Sequence, residues 1–410
     1  MPHPAPLAAL PEDAVLRALR GLLADELGAG GRALGTLEAA AWPHDLDLGP
    51  EGLALDSLER LNFGAAVNQF FRLHETGIED YLLVERRLPG WARVVRHALA
   101  EGTSGITFRS SGSTGTPVPH GHDAAALMTE AEFWAEHFSG RARIVTLVPG
   151  HHIFGFLFTV LLPSVAGVPV LDARAMPPGR LAAALAPTDL VVGFPAGLAA
   201  LLRSLGRLPD GIVVASSTAK LPAPTQLALL AAGAAQVTEI YGSSETAGIG
   251  WRDVAGAGFR LLPRWTLDGT AAEPTLHEVA TGRLVALPDR AHQAADGTLL
   301  LEGRKDNAVQ VGGMNVHPAR VAQVLRTHPD VLAAAVRPDT TLAEPRLKAF
   351  VVPAHGADPV QLEAALRRFC AERLSSPERP VHFSFGGALP EGALGKARDW
   401  TVADAAVQLE

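Results

Sequence analysis

The chain has 410 residues, 48% hydrophobic and 19% charged, a balance that suits a globular protein of two or three domains and excludes a disordered one. Its formal net charge of -8 leaves no concentrated basic field for nucleic acid or an anionic membrane, so a small-molecule substrate is expected. The single cysteine, Cys370, excludes an internal disulfide or a cysteine cage for a metal and suits a reducing compartment.

The first stretch, "MPHPAPLAALPEDAVLRALRGLL", has no basic leader and is interrupted by Pro11, Glu12 and Asp13. It does not read as a signal peptide, and a cytoplasmic protein is expected. Residues 1–104 lack strand alternation and predict helices over 12–27, 56–72 and 89–100. Within them "LALDSLERLNFGAAVNQFF" (53–71) carries Asp56, Ser57 and Glu59 at the spacing of a capped helix start.

From 105 to 305, β-rich stretches ("ARIVTLVP", "VPVLD", "DLVVGFP", "GIVVAS", "QVTEIYG") alternate with Ala/Leu-rich helical ones ("GRLAAALA", "AGLAALLRSL", "APTQLALLAAG"). That alternation predicts an α/β core with largely parallel strands. One apolar run, "IFGFLFTVLLPSVAGVPVL" (153–171), is long enough to span a bilayer, but Pro163, Ser164 and two glycines divide it into helix-like and strand-like halves. A buried helix, turn and strand is therefore expected, with no membrane span. From 306 to 410 the order strand, helix, strand, strand, helix, strand predicts a small α+β domain, with "GRKDNAVQ" (303–310) as the joint.

Chemistry is first suggested by "FRSSGSTGTPVPHGH" (108–122). Glycines let successive N–H groups converge on an anion, and the Ser/Thr hydroxyls add donors at little steric cost. No Gly-Lys-Ser/Thr triplet closes the loop, so it is not a Walker loop. Taken alone, a loop of this composition is more often a plain surface turn. In the same way "IYGSSE" (240–245) reads as a strand-end turn, Asp289 as a turn residue after a proline, and Lys396 as a solvated terminal lysine.

Their order changes those readings. "SSGSTGTP" (110–117), "VPGHHIFGF" (148–156), "IYGSSE" (240–245), "LPDRAHQAADGTLLLEGRKDN" (287–307) and "LPEGALGKARD" (389–399) together resemble the adenylate-forming (AMP-binding) superfamily of acyl- and aryl-CoA synthetases and acyl-carrier-protein ligases. The resemblance covers about residues 105–405 and implies a large α/β AMP-binding core with a small mobile α+β C-terminal domain, here behind a shortened helical N-terminal segment. It also implies ATP-dependent activation of a carboxylic acid to an acyl-adenylate, then transfer to a thiol, with ATP and Mg²⁺ as cofactors. Such catalysis rests on positioning and fixed positive charge.

Residue by residue, the resemblance assigns Ser110, Ser111, Gly112, Ser113, Thr114 and Gly115 to the phosphates. The family's usual lysine after the following proline is replaced here by Val118, with His120 nearby. Thr218, Tyr241 and Gly242 would line the nucleotide, Ser244 would touch the α-phosphate, and Glu245 would hold Mg²⁺. Asp289 and Arg304 would take the ribose, Asp306 would be the hinge, Gly312 and Gly313 would face the thiol tunnel, and Lys396 would be the catalytic lysine. The acid pocket would comprise His151, His152, Phe154, Phe156, Phe194 and Ser216 of "VASSTA" (214–219).

Histidine beside phenylalanines favours a flat aryl acid such as a hydroxybenzoate over a medium-chain fatty acid, since a buried histidine pairs with a phenol while rings bury the face. The acceptor is CoA or phosphopantetheine on an acyl carrier protein. The 53–71 helix itself resembles the Asp-Ser-Leu helix of such carriers, where Ser57 would bear phosphopantetheine; the alternative is a plain capped helix packed on the core. A non-catalytic nucleotide- or acyl-binding paralogue is the other class of function that the Val118 departure leaves open.

Overall fold

A computed structural model describes residues 7–32, 36–110, 118–270, 273–305, 308–311, 314–339, 342, 346–354, 358–390 and 400. The first helix, α1 (Glu12–Ala29), buries Leu16, Leu19, Leu23 and Leu27, which recur at the helical period and give it one apolar face. The helix Ser57–Phe71 is a capped start: the Asp56 carboxylate accepts Glu59 N–H, the Glu59 side chain accepts Asp56 N–H, and Arg32 Nε donates to Glu59 at 2.6 Å. Ser57 lies exposed in its first turn.

Aromatic rings join these helices to one another and to the α/β part of the chain. Phe63 stacks on Trp91 of the helix Leu88–Glu101, with centroids 4.4 Å apart. Phe70 meets Phe108 at 5.2 Å and Phe156 at 5.5 Å, both edge to face. The N-terminal helices and the sheet thus share one apolar core.

A hairpin of β1 (Gly105–Ser110) and β2 (Val118–Asp123) opens the α/β part, with Phe108 opposite His120. The main sheet has seven strands, β3 (Arg143–Thr146), β4 (Val170–Asp172), β5 (Asp189–Gly193), β6 (Val213–Ser216), β7 (Gln236–Ser243), β8 (Ala247–Arg252) and β9 (Arg260–Leu261), in the order β4-β3-β5-β6-β7-β8-β9. The first five in that order are parallel and the last two antiparallel. Every residue of β5 and β6 is buried, as expected of parallel strands covered on both faces.

Antiparallel pieces come next: Trp265–Thr270, Glu273–Glu278 and Leu284–Val285 in one sheet, Asp289–Gln293 and Leu299–Arg304 in another. The β-rich stretches recognisable in the sequence stop at Gly242, and these strands lie beyond them. Their polar, Gly- and Thr-bearing segments carry weak β signals that the neighbouring strands override.

The apolar run becomes the helix Ile153–Phe156, a π-helical turn Leu157–Leu161, the helix Leu162–Ala166, a left-handed Gly167 and then β4. The expected order of helix, turn and strand holds, but Pro163 and Ser164 lie inside the helix rather than ending it. The π turn is the accommodation: Leu162 N–H reaches back to Leu157 O. Pro163 has no N–H to give the carbonyl four residues back, Thr159 O, and that oxygen accepts Arg17 Nε of α1 at 2.8 Å. Among the described residues no helix is long and apolar enough to cross a membrane.

Of the described residues, those up to Glu302 form one compact unit, and those from Gly303 form another. The second has its own core around Val316, Leu325, Leu347, Val351 and Leu366. Its sheet pairs Val331–Asp339 antiparallel with Arg346–Pro353 and the latter parallel with His382–Phe385; the helices are Pro318–Leu325 and Pro359–Arg373.

Beneath the main sheet, the helix Ala124–His137 carries a buried acid. Glu130 accepts Gly248 N–H at 3.1 Å and Trp134 Nε1–H at 3.3 Å, and burial pushes its carboxyl up from 4.5 to about 7. Between those values the native state keeps a proton that the unfolded chain releases. This group's contribution to stability is therefore complete below pH 4.5 and is lost as pH rises through about 7. Glu130→Gln, which stays neutral, should gain on the order of 2 kcal/mol relative to the parent on going from about pH 5 to about pH 8. Urea unfolding at the two pH values measures it; parallel changes in both proteins would refute the shift.

Candidate active site

The carboxyl ends of parallel strands in an open α/β sheet are where ligands bind, because the connections to the helices leave a crevice there. Here those ends carry the candidate residues in spatial sequence. His151 and His152 follow β3, Phe194 follows β5, Ser216 and Thr218 end β6, and Ser244 and Glu245 follow β7. Register holds them adjacent: Thr146 pairs with Val192, Gly193 with Ser216, and Ser216 with Glu239.

At the end of β6 the backbone is strained. Thr218 sits at φ 73°, a left-handed conformation that costs a β-branched residue of order 1–3 kcal/mol. Among the described residues its hydroxyl and that of fully buried Ser216 find no hydrogen-bond partner, while Ser217 Oγ–H is taken by Ile240 O at 2.8 Å. Two buried hydroxyls without a partner among the described residues at one strand end call for an explanation.

At the end of β7 a tight turn presents Ser244 and Glu245. Gly242 is obligatory, since a Cβ there would lie 2.3 Å from Ala247 O, and Ser243 Oγ lies 2.9 Å from Thr246 Oγ1. His122 of β2 donates from Nε2 to Ser244 O at 2.7 Å. Burial lowers its pKa to about 4, so the ring is neutral, and because a carbonyl only accepts, the proton is on Nε2. From the same strand His120 Nε2 lies 2.8 Å from Ser110 Oγ and 3.7 Å from Glu245 Oε1, and the Glu245 side chain is half exposed. His120 thus links the first residue of the glycine-rich loop to the turn after β7, although Val118 takes the position where a lysine was expected.

Tyr241 and Asp289 are both buried and bonded to each other, Tyr241 O–H to Asp289 Oδ2 at 2.8 Å, and the Tyr241 ring packs on Phe259 at 5.5 Å. The hydroxyl orients the carboxylate and leaves its other oxygen as an acceptor.

On the β3 side, His151 is buried and its Nε2 lies 2.8 Å from Asp25 Oδ2 of α1. Burial alone would raise the Asp25 carboxyl, but the His151 beside it holds it well below the usual carboxylate range. His152 is an exposed residue whose ring stands against His151, and desolvation with that neighbour lowers its pKa to about 4. Phe154 packs on Phe158, and Phe156 is fully buried against Phe70 and Phe108, so these two rings belong to the core just after the His152 turn.

Ser111, Gly112, Ser113, Thr114, Gly115, Asp306, Gly312, Gly313 and Lys396 lie outside the described residues, as does the side chain of Arg304. Asp25, Glu130 and His122 do not stand out in the sequence. The alternation of His120 and His122 in "VPHGHD" could have flagged the last, whereas nothing in "LLADELG" marks Asp25.

Two family models match the chain: AMP-binding enzyme over residues 103–299 and AMP-binding enzyme C-terminal domain over 320–396. A protein of Halorhodospira halophila named 4-coumarate–CoA ligase is 42% identical over 94% of this chain and 98% of its own length. A namesake from Rhodobacter capsulatus is 43% identical over 89% and 94%. Among solved structures, o-succinylbenzoate CoA synthetase from Bacillus subtilis with its product analogue shares the fold at TM-score 0.63, with 17% identity over 95% of this chain and 92% of that one. The amide bond synthetase of Marinactinospora thermotolerans also matches at 0.63, with 19% identity over 96% and 94%.

Replacing Tyr241 by Phe removes one buried donor from Asp289, and the unfolding free energy should fall by about 1–3 kcal/mol. Urea titration of the purified variant measures this, and an unchanged midpoint and slope would mean that the bond contributes nothing.

Proposed function

The chain belongs to the adenylate-forming superfamily of AMP-binding acid–thiol ligases, and from that premise we propose that the acid it activates is a 4-hydroxylated aryl acid of the 4-coumarate type and that the acceptor is coenzyme A. The family's chemistry is ATP-dependent activation of a carboxylic acid and its transfer to CoA. The acid's carboxylate oxygen attacks the α-phosphorus as pyrophosphate leaves; the thiolate of CoA then attacks the acyl carbon as AMP leaves.

The observation that carries the reading is the order of groups along the strand ends. An aromatic and imidazole pair, Phe194 and His152, stands on the β3–β5 side, and the unpaired hydroxyls of Ser216 and Thr218 lie between it and the Ser244–Glu245 turn. In this reading a flat ring lies towards the first part and the triphosphate towards the second. A neutral His152 can pair with a phenol hydroxyl. The relatives named for 4-coumarate support the same ring with the same hydroxyl.

In this reading Ser110 to Gly115 cradle the phosphates, with His120 beside Ser110 supplying a donor near the position that Val118 leaves without charge. Asp289, oriented by Tyr241, takes the ribose hydroxyls with Arg304; Gly242 lets the nucleotide approach the backbone; Ser244 meets the α-phosphate. The half-exposed Glu245 carboxylate is a hard donor that suits magnesium, and it would hold that ion with the substrate phosphates, where the ion supplies neutralising charge. Lys396 stabilises the developing charge between carboxylate and phosphorus, and Asp306 is the hinge between half-reactions.

ATP-dependent pyrophosphate release with hydroxylamine trapping, over hydroxycinnamates, cinnamate, benzoates and fatty acids, tests this. Hydroxycinnamates should give the hydroxamate most efficiently; preference for a fatty acid or an unsubstituted benzoate would overturn the substrate assignment. Lys396→Ala should lower adenylation about 100-fold or more, and an unchanged rate would remove that lysine from the mechanism.

A further inference from the structure

Helix α1 lies ahead of the family-wide core, yet it reaches the acid side of the candidate site. Two glycines on facing segments let it do so. A Cβ at Gly21 would lie 2.0 Å from His151 Nδ1, and one at Gly150 would lie 3.3 Å from the Arg17 backbone. A glycine inside a helix costs roughly 0.5–1 kcal/mol relative to alanine, so its position here is explained by that close approach.

One turn beyond Gly21, on the same face, stands Asp25. Its carboxylate takes His151 Nε2 at 2.8 Å, while His151 Nδ1 is buried without a partner, so Asp25 is the polar anchor of that ring among the described residues. His151 in turn packs on His152, with ring centroids 4.1 Å apart and planes at 40°. His152 Nε2 or Nδ1 can therefore address a ligand only from the orientation that the His151 ring leaves open.

We propose that Asp25 is a positioning residue for acid recognition, which fixes His151 and through it sets the His152 ring against the hydroxyl of the aryl acid. The inference rests on the acid-pocket reading above. In this proposal Asp25, whose side chain is half exposed, acts through His151: it selects by holding one imidazole against another.

The test is steady-state adenylation by the full chain with 4-coumarate and with cinnamate, which lacks the hydroxyl, for Asp25→Ala, Asp25→Asn and His152→Ala. Asp25→Ala should raise KM for 4-coumarate about tenfold and for cinnamate much less, leaving kcat and KM for ATP within about twofold. Asp25→Asn, whose amide oxygen still accepts the Nε2 proton, should recover most of that loss. Equal losses with both acids, or a matching rise in KM for ATP, would make Asp25 a merely structural residue and overturn the proposal. If His152→Ala abolishes the preference for the hydroxyl while Asp25→Ala does not, the positioning role fails and the pocket stands; if neither changes the preference, the pocket reading fails and takes this inference with it.

Discussion

A proline inside a buried helix leaves one carbonyl without its ordinary donor, and the arrangement of the N-terminal half depends on how that is settled. Pro163 cannot serve Thr159 O, and the helix widens into a π turn ahead of it. Arg17 crosses from another helix to donate to that oxygen. A bond from a charged donor of this kind contributes about 1.5–3 kcal/mol, enough to fix the position of α1 over the segment after β3. Burial lowers the Arg17 pKa to about 10, still far above neutrality, so the donor stays charged there.

Once α1 is pinned, the rest of the acid side is placed by contact. The turn at Gly150–His152 lies close against α1, Gly150 by the Arg17 backbone and His151 by Gly21, and the segment that follows it runs into the apolar cluster of Phe70, Phe108 and Phe156. The nucleotide side is built differently. There, hydrogen bonds made by buried side chains hold backbone and side chain in place: His122 donates to Ser244 O, Glu130 accepts Gly248 N–H, and Tyr241 donates to Asp289. One side is set by packing and the other by a polar network, which suits the ring and the phosphates proposed for them.

Much of this is legible in the sequence because local signals and tertiary structure agree. The capped start at Asp56 and the β-rich runs of β3, β5 and β6 arise from the residues themselves, since each carries its own cap or its own continuous apolar content. The strand ends collect the motif residues because parallel topology brings the segments after successive strands to one edge. The features that no local reading reaches lie in contacts between distant segments. Asp25 and His151 are 126 positions apart, Glu130 and Gly248 118 apart, and no periodicity within either partner announces the other. Pro163 is legible as a breaker, yet it does not end its helix, because its cost is met by a side chain that no local window contains.

The glycine at position 21 has a consequence for recombining this chain with its relatives. A crossover anywhere between α1 and β3 would join one parent's helix face to another parent's histidine turn. With a side chain on that face, the atoms that must yield first are those of the His151 ring, so the mismatch falls on the imidazole turn. The two segments are one unit of inheritance, although more than a hundred residues separate them in the chain.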